Sequence, residues 1–177
     1  MKQQIKEEIR LSIDRFRLPR YDALPDSGLY LEQAARYISD QLAPLLGTAV
    51  TGSMISNYVK KDLVDNPVRK QYFRDQLAYL IFIAVAKTVL SMEDIGLLVK
   101  LQKQSYTNRR AYDYFCSELE NVAFYVFGLK DTLDNVGEDH SDEKMLLRDT
   151  IITVAHKAYL NHCFCRLHQE EKRNEEQ

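Results

Sequence analysis

Apolar residues recur at helical spacing through most of the chain, which predicts a mainly helical protein. Five segments place apolar side chains three or four positions apart, on one face of a helix: residues 2–16, 29–42, 92–104, 108–129 and 142–169. Residues 77–85 are apolar at nearly every position. The helix predicted from Arg74 to about Leu90 must therefore be surrounded by protein and form the centre of the core.

The segment from Thr51 to Val64 predicts a short helix with two different faces. Thr51 is a candidate N-cap, and the buried face consists of Ile55, Tyr58, Val59 and Leu63. The other face is polar and basic: Ser53, Ser56, Asn57, Lys60 and Lys61. Such a face suits a DNA major groove, because asparagine pairs with adenine and lysine neutralises phosphate. Tyr58 is expected to brace the helix, and an ordinary surface helix is the alternative interpretation.

The residues that follow this helix strengthen the DNA-binding interpretation. Asn66-Pro67 signals a turn, a basic connection leads to Tyr72, and Ser91 and Asp94 resemble a capping box. This order resembles the winged helix-turn-helix domain of the MerR family, in which a basic wing and a tyrosine follow the recognition helix. The resemblance implies that Ser53, Ser56 and Asn57 face base edges. It implies phosphate contacts for Lys60, Lys61, Arg69, Lys70 and Arg74.

Three features depart from the MerR pattern. Ser53 and Ser56 stand where that family usually has arginines, and Asp62 stands where it has a glycine with positive φ. The segment that joins the first two helices is also longer than the tight turn of that family. The loss of the arginines favours a second hypothesis, a protein-interaction module that keeps the winged-helix scaffold without base-specific reading of DNA.

A second resemblance covers nearly the whole chain. The segments that carry this resemblance are Leu18–Asp26, Leu29–Gln33, Ser53–Lys61 and Gln76–Phe82. They resemble the bacterial family catalogued as domain of unknown function eighteen-thirty-six, also called ykrK-like. This resemblance implies a bacterial cytoplasmic protein with a helix-turn-helix-like core, and it implies no activity.

The expected fold is all-α, with three parts. Residues 1–28 form an N-terminal helix and loop, residues 29–104 a MerR-like winged helix-turn-helix core, and residues 105–177 a helical extension. The extension is predicted as an antiparallel pair of helices with a hairpin loop at residues 131–143 and Asn108 as an N-cap. We expect this pair to form a homodimer that binds a pseudo-palindromic DNA site.

Composition places the chain among folded soluble proteins. It has 177 residues, of which 45% are hydrophobic and 28% charged. The chain has no stretch of about 18 apolar residues, so no membrane span is predicted. The amino terminus lacks a secretion signal. The three cysteines, an odd number, indicate reduced thiols rather than a set of disulfides. We therefore expect a cytoplasmic protein. The net charge is -2, but residues 52–74 carry +3, as attraction to DNA requires.

No motif supports catalysis. Residues 46–49 lack the lysine of a phosphate-binding loop, and there is no serine elbow, so we expect neither an enzyme nor a cofactor. His162, Cys163, Cys165 and His168 are metal-ligand types, but a closed zinc site needs separated ligand pairs. Small buried cysteines are favoured over a metal site or a redox sensor.

The aromatic residues between 106 and 127 fit core packing, a dimer interface or the pocket of a small-molecule sensor, which is a third hypothesis.

Overall fold

The computed structural model describes residues 2–136 and 141–175. Within them it has seven α-helices, a 3₁₀ turn (Tyr21–Ala23) and two short strands, β1 (Leu29–Tyr30) and β2 (Gln71–Tyr72). The helices are α1 (Gln3–Leu11), α2 (Leu31–Leu46), α3 (Gly52–Lys60), α4 (Arg74–Ala86), α5 (Met92–Ser105), α6 (Asn108–Val126) and α7 (Asp142–Glu175). The prediction of a mainly helical chain is confirmed, and the two-stranded sheet is an addition to it.

Helix α4 forms the centre of the molecule. Its residues Leu77, Leu80, Ile81 and Ile83 have no solvent exposure, and it contacts α2, α6 and α7. A helix that is apolar all round is stable only when other elements cover every side of it. None of the helices in the described part of the chain has the length and apolar character needed to cross a membrane.

Several helix ends differ from the predicted ones. Helix α1 stops at Leu11 rather than at residue 16, and α2 continues through Pro44 to Leu46. Gly47 then ends α2, because its φ of 64° is a left-handed conformation that suits glycine. Thr107, not Asn108, caps α6, and its side chain accepts a hydrogen bond from the backbone N–H of Arg110.

Helices α6 and α7 run in the same direction, so the predicted antiparallel pair is wrong. Successive contacts join Tyr114 to Lys144, then Glu118 to Arg148, then Phe127 to Tyr159, and both residue numbers rise together. The described part of the connection lies back beside α6 at Asp134, rather than beyond the end of that helix. Residues 137–140 of the predicted hairpin loop lie outside the described residues.

A buried asparagine holds this returning connection on α6. The side-chain amide of Asn121 donates to the carbonyl of Asp134 at 2.9 Å, and its oxygen accepts from the N–H of Asp134 at 3.3 Å. The ammonium of Lys130 donates to the same oxygen. The chain is thus fixed beside the middle of α6 at Asp134, and the hydroxyl of Ser141, just before α7, lies 3.1 Å from that of Tyr106, just before α6.

The antiparallel partner of α7 is the N-terminal helix. Lys2 pairs with Glu170 at 3.0 Å, and the hydroxyl of Ser12 lies 3.1 Å from Nδ1 of His162. The loop after α1 is fixed on α6, where Arg20 donates two hydrogen bonds to Glu120 at 2.7 and 2.9 Å. The N-terminal segment therefore packs on the C-terminal helices.

Candidate nucleic-acid interface

The first turn of α3 packs closely against α2. The hydroxyl of Thr51 accepts a hydrogen bond from the N–H of Met54 at 3.3 Å, which is the expected N-cap. Gly52 follows, and a Cβ there would lie 2.3 Å from a carboxylate oxygen of Glu32 and 3.2 Å from Leu31. Glycine therefore allows the first turn of α3 to contact the first turn of α2.

The polar face of α3 is open to solvent, as the sequence predicts. Ile55 and Tyr58 are buried beneath the helix. Of the eight predicted DNA-contacting residues, six are exposed (Ser53, Asn57, Lys60, Lys61, Arg69 and Lys70), and two are half-buried (Ser56 and Arg74). The later helices of the chain therefore leave this surface accessible.

The end of α3 has a Schellman motif built on an aspartate. The N–H of Leu63 donates to the carbonyl of Tyr58 at 3.1 Å, and the N–H of Asp62 donates to the carbonyl of Val59 at 3.0 Å. Asp62 has a φ of 54°, the left-handed conformation expected from the sequence. The motif leaves Lys60 and Lys61 at the exposed carboxyl end of the helix, where cations also interact favourably with the helix dipole.

A buried glutamine fixes the connection between α3 and the next strand. The side-chain amide of Gln76 donates to the carbonyls of Asp65 and Asn66 at 3.0 and 2.9 Å, and its oxygen accepts from the N–H of Phe73 at 2.8 Å. Leu63 is buried as well. The connection is therefore rigidly attached to the amino end of α4, although sequence reasoning assigned Gln76 no such role.

The basic connection ends in a tight β-hairpin. Val68 and Gln71 exchange two backbone hydrogen bonds of 3.0 Å, so only Arg69 and Lys70 form the turn. Their φ values are 52° and 67°. Two positive φ values in a two-residue loop define a type I′ turn, which normally favours Asn-Gly because other side chains are strained there. The two cations occupy the exposed tip of this hairpin.

The sheet adds an outward face that the sequence did not predict. Gln71 is paired with Tyr30 on one side and with Val68 on the other, so the three side chains share one face of the sheet. Tyr30 is 55% exposed and Val68 58% exposed. Strands of two residues are too short for an alternating pattern to be recognised, and this explains why the sequence did not reveal them.

Arg74 lies at the start of α4 and is occupied by contacts within the chain. Its Nε donates to the carbonyl of Leu24 at 3.2 Å, and its guanidinium lies 3.5 Å from a carboxylate oxygen of Asp26 and 5.7 Å from the ring centroid of Tyr21. These contacts give Arg74 a structural role in attaching the N-terminal loop to α4.

Lys60, Lys61, Arg69 and Lys70 differ from Arg74, since none of them forms an ion pair among the residues that the structure describes. With the exposed Asp62 and Asp65, they give this surface a net charge of +2.

Tyr58 and Tyr72 support the surface from below. Burial raises the pKa of both phenols above its ordinary value, which keeps them neutral. The hydroxyl of Tyr58 is buried and makes no hydrogen bond in the described part of the protein. This placement agrees with the expectation that Tyr58 braces the helix.

The histidines and cysteines near the end of α7 do not converge. His162 contacts the carbonyl of Leu45 at 3.1 Å, Cys163 is buried, and Cys165 is exposed. Over residues 2–136 and 141–175, no three side chains of His, Cys, Asp or Glu come together as metal ligands would.

The candidate interface lies inside the range of a known family. The model of the family described as "Domain of unknown function (DUF1836)" matches residues 19–115, from the N-terminal loop into α6. No curated protein and no solved structure matches the chain. Because the match spans more than half of the sequence, the chain belongs to the Domain of unknown function (DUF1836) family.

Proposed function

We propose that this protein binds double-stranded DNA as a homodimeric transcriptional regulator. In this proposal α2 and α3 form a MerR-like helix-turn-helix unit, α3 enters the major groove, and the hairpin at residues 68–71 acts as the wing. The phosphate contacts come from the lysines at the end of α3 and from the cations of the hairpin. Base edges are read by the exposed polar residues of α3, Ser53 and Asn57, together with the half-buried Ser56.

The observation that carries the proposal is the strained, cationic tip of the hairpin. Arg69 and Lys70 both adopt left-handed conformations that cost about 1–2 kcal/mol each for residues with a side chain. Both are exposed. Backbone strain of this kind persists mainly at functional sites. A phosphate contact at the wing explains why the turn holds two cations instead of Asn-Gly.

An exposed apolar stripe on α7 supports dimerisation. Leu160 and Phe164 lie one helical turn apart on the same face and are 52% and 56% exposed. A second copy of the chain would bury this stripe and place two α3 helices on one DNA duplex. A dimer contacts twice as many phosphates as a monomer, which compensates for the modest charge of each copy.

The test is a fluorescence-anisotropy titration with DNA fragments selected from a genomic pool. Four phosphate contacts per copy predict a slope of about −7 for the dimer in a plot of log K against log salt. Lys60→Ala should reduce the slope by about 1 per copy, and Asn57→Ala should weaken sequence preference at an unchanged slope. Lys100→Ala, an exposed lysine on α5, is the control. Absence of binding at low salt would refute the proposal.

A protein-interaction module is the second candidate, because the outer face of the sheet is partly apolar. Tyr30 and Val68 expose large side chains beside the hairpin, and such a surface suits contact with another protein. In that case Tyr30→Ser should abolish recovery of a partner protein while leaving any weak, non-specific DNA binding unchanged.

A further inference from the structure

A large apolar cavity lies between α4, α5, α6 and the start of α7. Its volume is about 650 Å³, and its apolar walls include Ala78, Phe82, Leu98, Phe115 and Leu147. A volume between about 300 and 1,000 Å³ is typical of pockets that bind small molecules.

One wall of the cavity carries a small polar network. The hydroxyl of Tyr79 lies 2.6 Å from Oδ1 of Asn108 and 2.9 Å from Oε1 of Gln102. A phenol has one proton, so it donates to one of these oxygens at a time. Burial raises the pKa of Tyr79 to about 12, so the phenol stays neutral. This wall of the cavity therefore presents neutral polar groups to a ligand.

Among the residues that the structure describes, the rim of the cavity is cationic. The guanidinium of Arg110 lies 5.4 Å from the ring centroid of Tyr106, and the ammonium of Lys144 lies 5.0 Å from the ring centroid of Tyr114. Both are held over aromatic rings, and neither forms an ion pair within the described ranges. Glu143 is the one acidic side chain among the described lining residues, so these three groups have a net charge of +1.

We infer that the cavity binds an amphiphilic monoanion, with an apolar body between the helices and a carboxylate at Arg110 and Lys144. The apolar walls supply affinity for the body, since apolar surface is removed from water. The two cations at the rim select a negative head group over a neutral or positive one. The site is separate from the hairpin, and ligand binding there does not require DNA binding.

Binding to the full-length protein can be measured with decanoate by isothermal titration calorimetry, with decanol and decylammonium as neutral and cationic comparisons. We expect saturable binding of decanoate, weaker binding of decanol, and the weakest binding for decylammonium. Arg110→Ala combined with Lys144→Ala should weaken decanoate binding about 5- to 30-fold and leave decanol within about twofold. Lys87→Ala with Lys100→Ala removes two exposed cations outside the cavity lining and should change neither.

A second variant tests the location of the site. Ala111 lines the cavity on α6, so Ala111→Phe should fill the space and weaken both decanoate and decanol at least tenfold. Ala23→Phe adds the same ring at an exposed position and should have no effect. Failure of decanoate to bind, equal affinity for all three ligands, or unchanged binding by a folded Ala111→Phe protein would overturn the inference. The pair of rim substitutions decides the question if Ala111→Phe does not fold.

Discussion

Replacing the hairpin turn should make the protein more stable and weaken the proposed DNA binding. The change is Arg69→Asn combined with Lys70→Gly, which installs the sequence that type I′ turns favour. Both native residues have positive φ, at 52° and 67°. Glycine removes the strain at the second position, and asparagine reduces it at the first.

The expected gain in the free energy of unfolding is about 1–3 kcal/mol, because glycine relieves the full strain of roughly 1–2 kcal/mol at one position and asparagine relieves part of it at the other. For a chain of this size, each kcal/mol raises the melting temperature by about 2–4 °C. Urea denaturation and thermal melting measure both quantities. An unchanged stability would show that the turn is not strained.

The same variant should lose about half of the salt dependence of the proposed DNA binding. Two phosphate contacts per copy account for about 1.8 of the slope of log K against log salt, or about 3.6 for a dimer. Arg69→Gln combined with Lys70→Gln is the matched control, since it removes the charges and keeps the strain. This control should reduce the slope of log K against log salt by the same amount, without any gain in the free energy of unfolding. If either variant kept the full slope, the hairpin cations would not contact phosphate.

Four further substitutions test the other features. Arg148→Ala removes the ion-pair partner of the fully buried Glu118, which keeps a 3.5 Å hydrogen bond from Asn121, and should cost about 3–5 kcal/mol at pH 7; adding Glu118→Gln should restore most of it. Because burial raises the pKa of Glu118 above its ordinary value of 4.5, this cost should shrink as the pH falls toward 4.5 and be small below it, as urea denaturation at several pH values will show. Burial lowers the pKa of His162, so stability should fall as the pH drops below about 6.5, and His162→Gln should flatten that dependence in thermal melts. Asp62→Asn should raise stability by about 0.5–1 kcal/mol in urea and tighten DNA binding a few-fold in anisotropy titrations, because asparagine tolerates a left-handed φ better and an acid beside Lys61 is removed.

The local features of the interface were predictable because each depends on neighbours in the sequence. Thr51 caps α3 through a hydrogen bond to a residue three positions away, and Asp62 is left-handed because the helix ends beside it. The burial of Ile55 and Tyr58 follows from their helical spacing. The contacts of Arg74 with Leu24 were not predictable, because 50 residues separate the two in the chain.

By itself the sequence determined where the helices lie, which face of each is buried, and that the basic residues cluster around α3 and the hairpin. Hydrophobic periodicity reports the face of a helix that meets a partner, and it does not report the partner or its direction. Only the tertiary structure decided that α7 runs parallel to α6, since Asn121 holds the connection beside the middle of that helix. The existence of the cavity between α4 and α7 was also decided only by the tertiary structure, because an empty volume depends on how helices that are distant in the sequence pack together.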